Sequence, residues 1–220
     1  MHRLPILLFL FVGLFVSLTG HTPDTAKRFW QTRGNNYTLG TLDIIGRGTW
    51  GAKPPITEGR LWFDYDAPLC RHLRRITLHH THSQYTIQSL QDFHQTLADP
   101  KADIAYHFFI DTDGKTYEAR PLGYVGSHSE GDNTFNVGIV LNGDFQKKPP
   151  TLAQQKALNQ LLQGLKQLCP GGYPEGLWTH RERKALKFPG QPAKQTACPG
   201  DHLHRLGQRL KQKYLLENIF

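Results

Sequence analysis

The chain has 220 residues, of which 38% are hydrophobic and only 3 are cysteines. This length suits one domain of ordinary size with short appendages, and so few cysteines exclude a small scaffold held together by a dense disulfide framework. The formal net charge of +8 favours anionic partners, such as nucleic acid, anionic lipid or an acidic cell-wall polymer.

The amino-terminal segment has the pattern of an export signal. Arg3 supplies positive charge, and residues 4–18 form an apolar stretch that is short for a transmembrane helix. The residues that follow, from Thr19 to Thr22, make a poor cleavage site, so an uncleaved membrane anchor is the alternative. We therefore predict an exported protein, periplasmic or secreted, with membrane attachment through the amino terminus if the anchor is retained. The predicted segments are a signal peptide or anchor (1–22), a tether (23–43), one domain (44–216) and a tail (217–220).

Predicted strands and helices alternate along the domain. Strands are predicted where β-branched and aromatic residues cluster, at 75–80, 103–110, 115–118, 136–141 and near 177–178. Helices are predicted where apolar residues recur at intervals of three and four, at 86–97, from Thr151 to the stop at 170–172, and after Asp201. Thr151 and Gln154 form a capping box, and residues 56–73 are expected to form a loop. The order predicts an α/β fold with a central mixed β-sheet flanked by helices.

Three residues of metal-binding type lie near the ends of predicted elements: His79, His180 and Cys198. Imidazole and thiolate are preferred zinc ligands, and three protein ligands with one open position are typical of catalytic zinc. The chain has no CxxC pair, so the residue types alone equally allow a disulfide cysteine and a surface histidine. Because side chains alternate along a strand, only one of His79 and His80 can face a given cleft.

A series of short motifs resembles one known family. The motifs are Arg47–Ala52, Ile76–Thr81, Phe93-His94, Asp103–Phe108, Asp113–Arg120, Gly126–His128, Gly138-Ile139, His180–Glu182 and Thr196–Gly200. They occur in the order found in the zinc-dependent N-acetylmuramoyl-L-alanine amidases, which include peptidoglycan recognition proteins and phage lysozyme-type amidases. The match runs from about Arg47 to Asp201, which is most of the expected mature chain.

The resemblance implies a zinc ion held by His79, His180 and Cys198. It also implies that Tyr106 is the catalytic tyrosine and that the Thr196 hydroxyl assists the reacting oxygen. Zinc in such a site lowers the pKa of bound water to about 7 and polarises the carbonyl that is attacked. The implied reaction is hydrolysis of the amide between N-acetylmuramic acid and L-alanine. The expected partner is therefore peptidoglycan and not nucleic acid, and a monomer is expected.

Three further side chains are candidates for substrate contact. His128 lies in a segment without a strand pattern to bury it, so we expect it to face the substrate groove. Tyr85 and His82, just past the first implied ligand, are weaker candidates for the same groove. His107 alternates with Tyr106 along a predicted strand, so it is expected to face the other side and serve packing.

Two features lie outside these motifs. The connection from His180 to Cys198 is longer than in recognition proteins, and Glu182 stands where Asp is usual, so residues 182–193 are interpreted as an inserted basic loop that alters the groove.

Cys70 and Cys169 form a disulfide in our preferred interpretation of an exported protein, and two buried free cysteines are the alternative.

Two other functions compete with hydrolysis. A module that recognises peptidoglycan without cutting it is the first, although family members of that kind typically lose the metal cysteine, which is present here as Cys198. An interaction protein is the second, by analogy with the polymerase binding of the phage enzymes, and the predicted export argues against it.

Overall fold

A computed structural model of the chain describes residues 35–58, 62–65, 68–169 and 175–216. Seven strands form one sheet in the order β1-β2-β5-β4-β6-β3-β7. Their bounds are β1 Tyr37–Leu39, β2 Leu42–Ile45, β3 Arg75–His80, β4 Phe108–Ile110, β5 Thr116–Glu118, β6 Asn136–Leu141 and β7 Gly176–Thr179. The pairs β1–β2 and β4–β5 are antiparallel, and the other four neighbouring pairs are parallel. The predicted mixed sheet is confirmed.

Helices flank this sheet, as predicted. They are α1 Arg47–Trp50, α2 Leu69–His72, α3 Ile87–Gln95, α4 Leu152–Leu168, α5 His180–Lys187 and α6 Asp201–Leu216, with a 3₁₀ turn at Pro192–Lys194. The predicted capping box of α4 is confirmed, because the Thr151 hydroxyl accepts from the Gln154 N–H and the Gln154 side chain accepts from the Thr151 N–H. Among the described helices, none combines the length and apolar character needed to cross a membrane.

Each face of the sheet is covered by its own apolar cluster. On one face, Ile76 and Leu78 of β3 pack with leucines of α4 and α6. On the other face, Phe109 and Val140 pack with Ile87 and Leu90 of α3 and with Trp50. Since side chains alternate along β3, His79 points to the α3 side and His80 to the α4 and α6 side. The sheet thereby separates the two adjacent histidines.

The first two strands correct the predicted domain boundary. The tether was predicted to run to residue 43, but β1 and the start of β2 lie within it, and the two strands pair antiparallel at the edge of the sheet. Leu39 and Leu42 belong to the core, with exposures of 4% and 8%. The domain therefore includes residue 37. The rest of the predicted tether up to residue 34, the predicted signal segment and the predicted tail lie outside the described residues.

The segment before β4 is not the strand that was predicted from residue 103. Only 108–110 pair as a strand, and the preceding backbone is held both by side chains and by backbone hydrogen bonds outside the strand. Arg47 Nη2 lies 2.7 Å from Asp103 Oδ2, and buried Arg120 donates from Nε to the Ile104 carbonyl at 2.9 Å. The Arg120 N–H donates to the Tyr106 carbonyl at 3.0 Å. The two bonds from Arg120 satisfy carbonyl groups that lack strand partners, and they help to fix the position of Tyr106.

Cys70 and Cys169 form a disulfide, as our preferred interpretation predicted. Cys70 lies in α2, a helix within the segment that was predicted to be a loop, and Cys169 follows the last residue of α4. The bond joins positions 99 residues apart and ties α2 to the carboxyl end of α4.

Candidate metal centre

His79, His180 and Cys198 converge at the carboxyl end of two parallel strands. His79 lies near the end of β3, His180 begins α5 directly after β7, and Cys198 lies just before α6. One possible ligand atom from each residue lies within 4.8 Å of the other two. The Cys198 Sγ is 3.7 Å from His79 Nδ1, and the two imidazole centroids are 4.5 Å apart. Residues far apart in sequence meet here because β3 and β7 are neighbours in the sheet.

The chemistry of these three groups fits a bound metal ion. His180 Nε2 is buried and has no hydrogen-bond partner among the described residues, and a bound metal ion would satisfy this atom. Burial lowers the pKa of His180 to about 4, with Lys184 adding to the effect. Burial also lowers the pKa of His79 well below its usual range. Both imidazoles are therefore neutral near pH 7, which is the form that binds metal.

The surroundings of Cys198 stabilise the negative charge of its thiolate only weakly. Burial raises the pKa of Cys198 to about 12, although a backbone hydrogen bond from His80 and the charge of Arg181 oppose this rise. A bound divalent cation would stabilise the thiolate directly. Two neutral imidazoles with one thiolate are a donor set that suits zinc.

His128 determines which nitrogen of His79 can bind a metal. His128 Nε2 lies 3.1 Å from the Asn136 carbonyl oxygen, which can only accept, so Nε2 carries the proton. His128 Nδ1 therefore accepts from His79 Nε2 at 3.0 Å. The lone pair of His79 is left on Nδ1, which is the nitrogen that faces Cys198. Hydrogen bonds from outside the ligand set commonly orient metal-binding histidines in this way.

The position of His128 differs from the one expected. The segment was predicted to leave this side chain uncovered, but it is 7% exposed. The reason is tertiary, since the ring lies over Gly138 of β6 and beside Gly126. A Cβ atom built at either glycine would lie 2.5 Å from His128 Cδ2. Glycine within a strand often marks such a close approach, and this was the one sequence signal for the contact.

Tyr106, which the resemblance makes the catalytic tyrosine, lies beside the cluster. Its ring centroid is 5.0 Å from that of His79 and 6.2 Å from that of His128. The ring also meets His94 of α3 edge-on, with centroids 5.6 Å apart. Burial raises the pKa of Tyr106, and proximity to Cys198 raises it further, so the hydroxyl stays protonated at neutral pH.

Thr196 and Tyr85 border the same region. The Thr196 hydroxyl accepts from the Cys198 N–H at 3.1 Å, which fixes the turn that presents the thiol and leaves the hydroxyl proton free to donate. The half-buried Tyr85 packs with Tyr106 against the α3-side core, and its ring meets Phe93 at 5.5 Å.

His82 and His107 contact other parts of the molecule. His82 was a predicted groove residue, but it faces His80 and Asp144 on the opposite side of the sheet from His79. His107 is buried and uses both ring nitrogens on backbone groups, the Gly138 N–H at 3.0 Å and the Tyr124 carbonyl at 2.9 Å. This geometry agrees with the packing position that was predicted for His107.

The predicted insertion at 182–193 is largely ordered as α5 and the 3₁₀ turn, and it is not an irregular loop. Glu182 caps α5 by accepting from the Thr179 N–H at 2.8 Å. Arg183 makes two bonds to the buried Asp132, at 2.7 and 2.9 Å, which tie α5 to the loop that carries His128. Lys184 and Lys194 both pair with Glu130 of that loop.

Sequence reasoning missed Asp132 and Asn136 as supports of the centre. Asn136 supplies the carbonyl that accepts from His128, and its side-chain oxygen accepts from Thr77 at 2.9 Å. Asp132 accepts from Arg75 at 2.8 Å as well as from Arg183. No local pattern marks these residues, because their partners lie on other strands and helices.

The fold and the cluster together define an α/β domain with a candidate His-His-Cys metal centre. The chain belongs to the N-acetylmuramoyl-L-alanine amidase family, whose sequence profile matches residues 70–201, more than half of the chain. The family resemblance expected from the motifs is thereby confirmed.

Individual relatives agree with this family. Peptidoglycan-recognition protein SD of Drosophila melanogaster is 33% identical over 160 residues, covering 69% of this chain and 82% of the relative. The crystal structure of Drosophila protein SD aligns with a TM-score of 0.63 at 26% identity, over 76% of this chain and 94% of that one. An endolysin N-acetylmuramoyl-L-alanine amidase from Clostridium intestinale aligns with a TM-score of 0.53 at 27% identity, over 67% of this chain and 91% of that one.

Proposed function

We propose that this protein is an exported zinc hydrolase that cleaves the amide between N-acetylmuramic acid and L-alanine of peptidoglycan. The observation that carries the proposal is the convergence of His79, His180 and Cys198 within 4.8 Å, with the Tyr106 ring 5.0 Å from His79. The proposal is also supported by the similarity of the chain to an N-acetylmuramoyl-L-alanine amidase and to a peptidoglycan-recognition protein.

In this proposal His79 Nδ1, His180 Nε2 and Cys198 Sγ hold zinc. When bound, zinc supplies Lewis-acid polarisation of the scissile carbonyl and activation of water. His128 keeps the lone pair of His79 on Nδ1, and the Arg183–Asp132 ion pair holds the start of α5, which carries His180. These residues reduce the reorganisation that metal binding would otherwise need.

Tyr106 and Thr196 are the proposed donors to the oxygen that gains negative charge during hydrolysis. Tyr106 remains a protonated phenol because burial raises its pKa. Thr196 is oriented by its bond from the Cys198 N–H and keeps its own proton to donate. One such preorganised donor contributes roughly 3 kcal/mol of transition-state stabilisation. We assign Tyr85 to the wall of the substrate groove, since it packs against the same core cluster as Tyr106 and lies close enough to raise the pKa of Tyr106.

Export is proposed on two observations. The apolar stretch at 4–18 suits a signal peptide or an anchor. The Cys70–Cys169 disulfide suits an oxidising compartment.

Digestion of purified peptidoglycan followed by mass spectrometry tests the activity. The protein should release stem peptides with a free L-alanine amino group and leave the glycan chains intact. Cys198→Ser is the matched control and should release none, because it loses a metal ligand. Disaccharides with new reducing ends would instead identify a glycosidase and overturn the proposal. Binding to insoluble peptidoglycan without any cleavage would replace it with a recognition module.

A further inference from the structure

A second group of metal-ligating side chains lies outside the centre described above. One ring nitrogen from His80, one from His82 and one oxygen of Asp144 lie within 4.8 Å of one another. His82 Nδ1 is 3.7 Å from Asp144 Oδ1, and the two imidazole centroids are 5.5 Å apart. Because His80 points to the α4 and α6 side of the sheet, this group is separated from His79 by β3 itself.

We propose that His80, His82 and Asp144 form a second binding site for a divalent transition metal such as Zn²⁺, with Co²⁺ as the spectroscopic probe. Two imidazoles and one carboxylate are a donor set for zinc and for neighbouring divalent metals, and three protein ligands leave positions for water. The site lies at the rim of the sheet, where β3 and β6 end, and it is open to solvent through the exposed His82.

The three groups need only a small contraction to coordinate an ion. Zinc–nitrogen and zinc–oxygen bonds are about 2.0–2.2 Å long, which places ligand atoms about 3.4 Å apart around a tetrahedral ion. The His82 side chain is 72% exposed, so it is free to rotate inward, whereas the Asp144 side chain is 13% exposed. Asp144 is also fixed by accepting from the Gln146 N–H at 3.1 Å. Rotation of the His82 side chain towards Asp144 would therefore bring the three ligand atoms to coordinating distance.

The backbone already brings the two contributing loops together. His82 adopts a left-handed conformation with φ 63°, and its N–H donates to the Gly143 carbonyl at 3.1 Å. In return, the Gly143 N–H donates to the Thr81 hydroxyl at 2.8 Å. These bonds place His82 beside Asp144 before any ion binds, so little chain entropy is lost on binding.

Two interactions compete with the ion and limit its affinity. Lys147 Nζ lies 3.2 Å from Asp144 Oδ2 and already neutralises part of the carboxylate charge. The Phe145 N–H donates to His80 Nδ1 at 3.3 Å, a long hydrogen bond whose acceptor nitrogen carries a lone pair. An ion at that nitrogen would replace the bond. Removal of the Lys147 charge should therefore tighten the site.

Titration with Co²⁺, followed by calorimetry and visible absorption, tests the proposal. Metal-free protein should bind two ions, and only the one at Cys198 should give a sulfur-to-metal charge-transfer band. His82→Asn should weaken the second ion about tenfold or more, since asparagine tolerates the left-handed backbone but removes the imidazole. His202→Asn is the control for loss of a histidine outside the cluster and should leave both ions.

Two further variants keep the test independent of the proposed hydrolysis, because they are read out by metal binding alone. Lys147→Gln should raise the affinity for the second ion several-fold. Cys198→Ser should lose the charge-transfer band and still bind the second ion. Binding of no ion other than the one that gives the charge-transfer band, or unchanged binding in His82→Asn, would overturn the proposal, whatever the outcome of the peptidoglycan digestion.

Discussion

His79 Nε2 lies 3.0 Å from His128 Nδ1, and this hydrogen bond leaves the lone pair of His79 on the nitrogen that faces Cys198. We predict that His128→Ala lowers zinc affinity by about 10- to 100-fold, the usual cost of losing a partner that orients a ligand. His128→Asn should recover much of the loss, because its side-chain oxygen can accept near the position of Nδ1. Competition with a zinc-binding dye measures both values. Equal affinity in the alanine variant and the wild type would remove His128 from this role.

Gly138 is the residue that allows His128 to lie over β6. A Cβ at Gly138 would meet His128 Cδ2 at 2.5 Å, so Gly138→Ala should displace the ring and weaken zinc binding. The effect should largely vanish when His128→Ala is already present, because the clash is then gone. A double-mutant cycle on zinc affinity measures this coupling. If the losses of zinc affinity in the two single variants add up in the double variant, the alanine acts by disturbing β6 and not by displacing His128.

Tyr106 is proposed to act on the reacting carbonyl and not on the metal. Tyr106→Phe removes only the hydroxyl, so turnover should fall roughly 10²-fold or more while zinc content and peptidoglycan binding remain near wild type. Interactions made only in the transition state lower kcat in this way. Turnover, metal content and pull-down on insoluble peptidoglycan should be measured side by side. Near-normal turnover would exclude Tyr106 from the mechanism.

The Cys70–Cys169 disulfide should contribute to stability without influencing the metal centre. It closes a loop of 99 residues, and it lies beyond the amino end of β3, whereas His79 lies near the carboxyl end. The double variant Cys70→Ala and Cys169→Ala should lose about 2–5 kcal/mol of unfolding free energy. Urea unfolding measures the loss, and zinc content provides the control. A comparable loss of zinc would contradict the separation of the two sites.

His107 should make stability depend on pH. Burial lowers its folded-state pKa to about 4, against 6.5 for the unfolded chain. The unfolded state therefore binds the proton first as the pH falls, so the contribution of His107 is complete above pH 6.5 and is lost towards pH 4. A difference of one bound proton between the unfolded and folded states changes the free energy of unfolding by about 1.4 kcal/mol per pH unit. Urea unfolding between pH 6.5 and 5 should show a shallower slope for His107→Gln than for wild type. Parallel slopes would contradict the prediction.

Much of the architecture could be predicted from local patterns. The apolar stripe and capping box of α4 were recognised because helix periodicity and cap geometry involve residues within a few positions of one another. The apolar β3 segment was recognised by its β-branched composition. Strands β1 and β2 were missed because three- and four-residue strands carry little pattern of their own. They are stabilised by pairing with each other and, through β2, with the distant β5.

The sequence by itself determined which side chains with metal-binding chemistry are present, and their order along the chain led to the family. Only the tertiary structure decided which other histidines contact these side chains. His128 is buried because Gly138 on β6 leaves room for its ring, and His82 is turned towards His80 and Asp144. The physical reason is that residue type and periodicity are local properties, whereas burial and hydrogen-bond partners depend on the register of strands distant in sequence. Parallel pairing of β3 with β6 and β7 sets that register here, and it brings His79, His128 and His180 together.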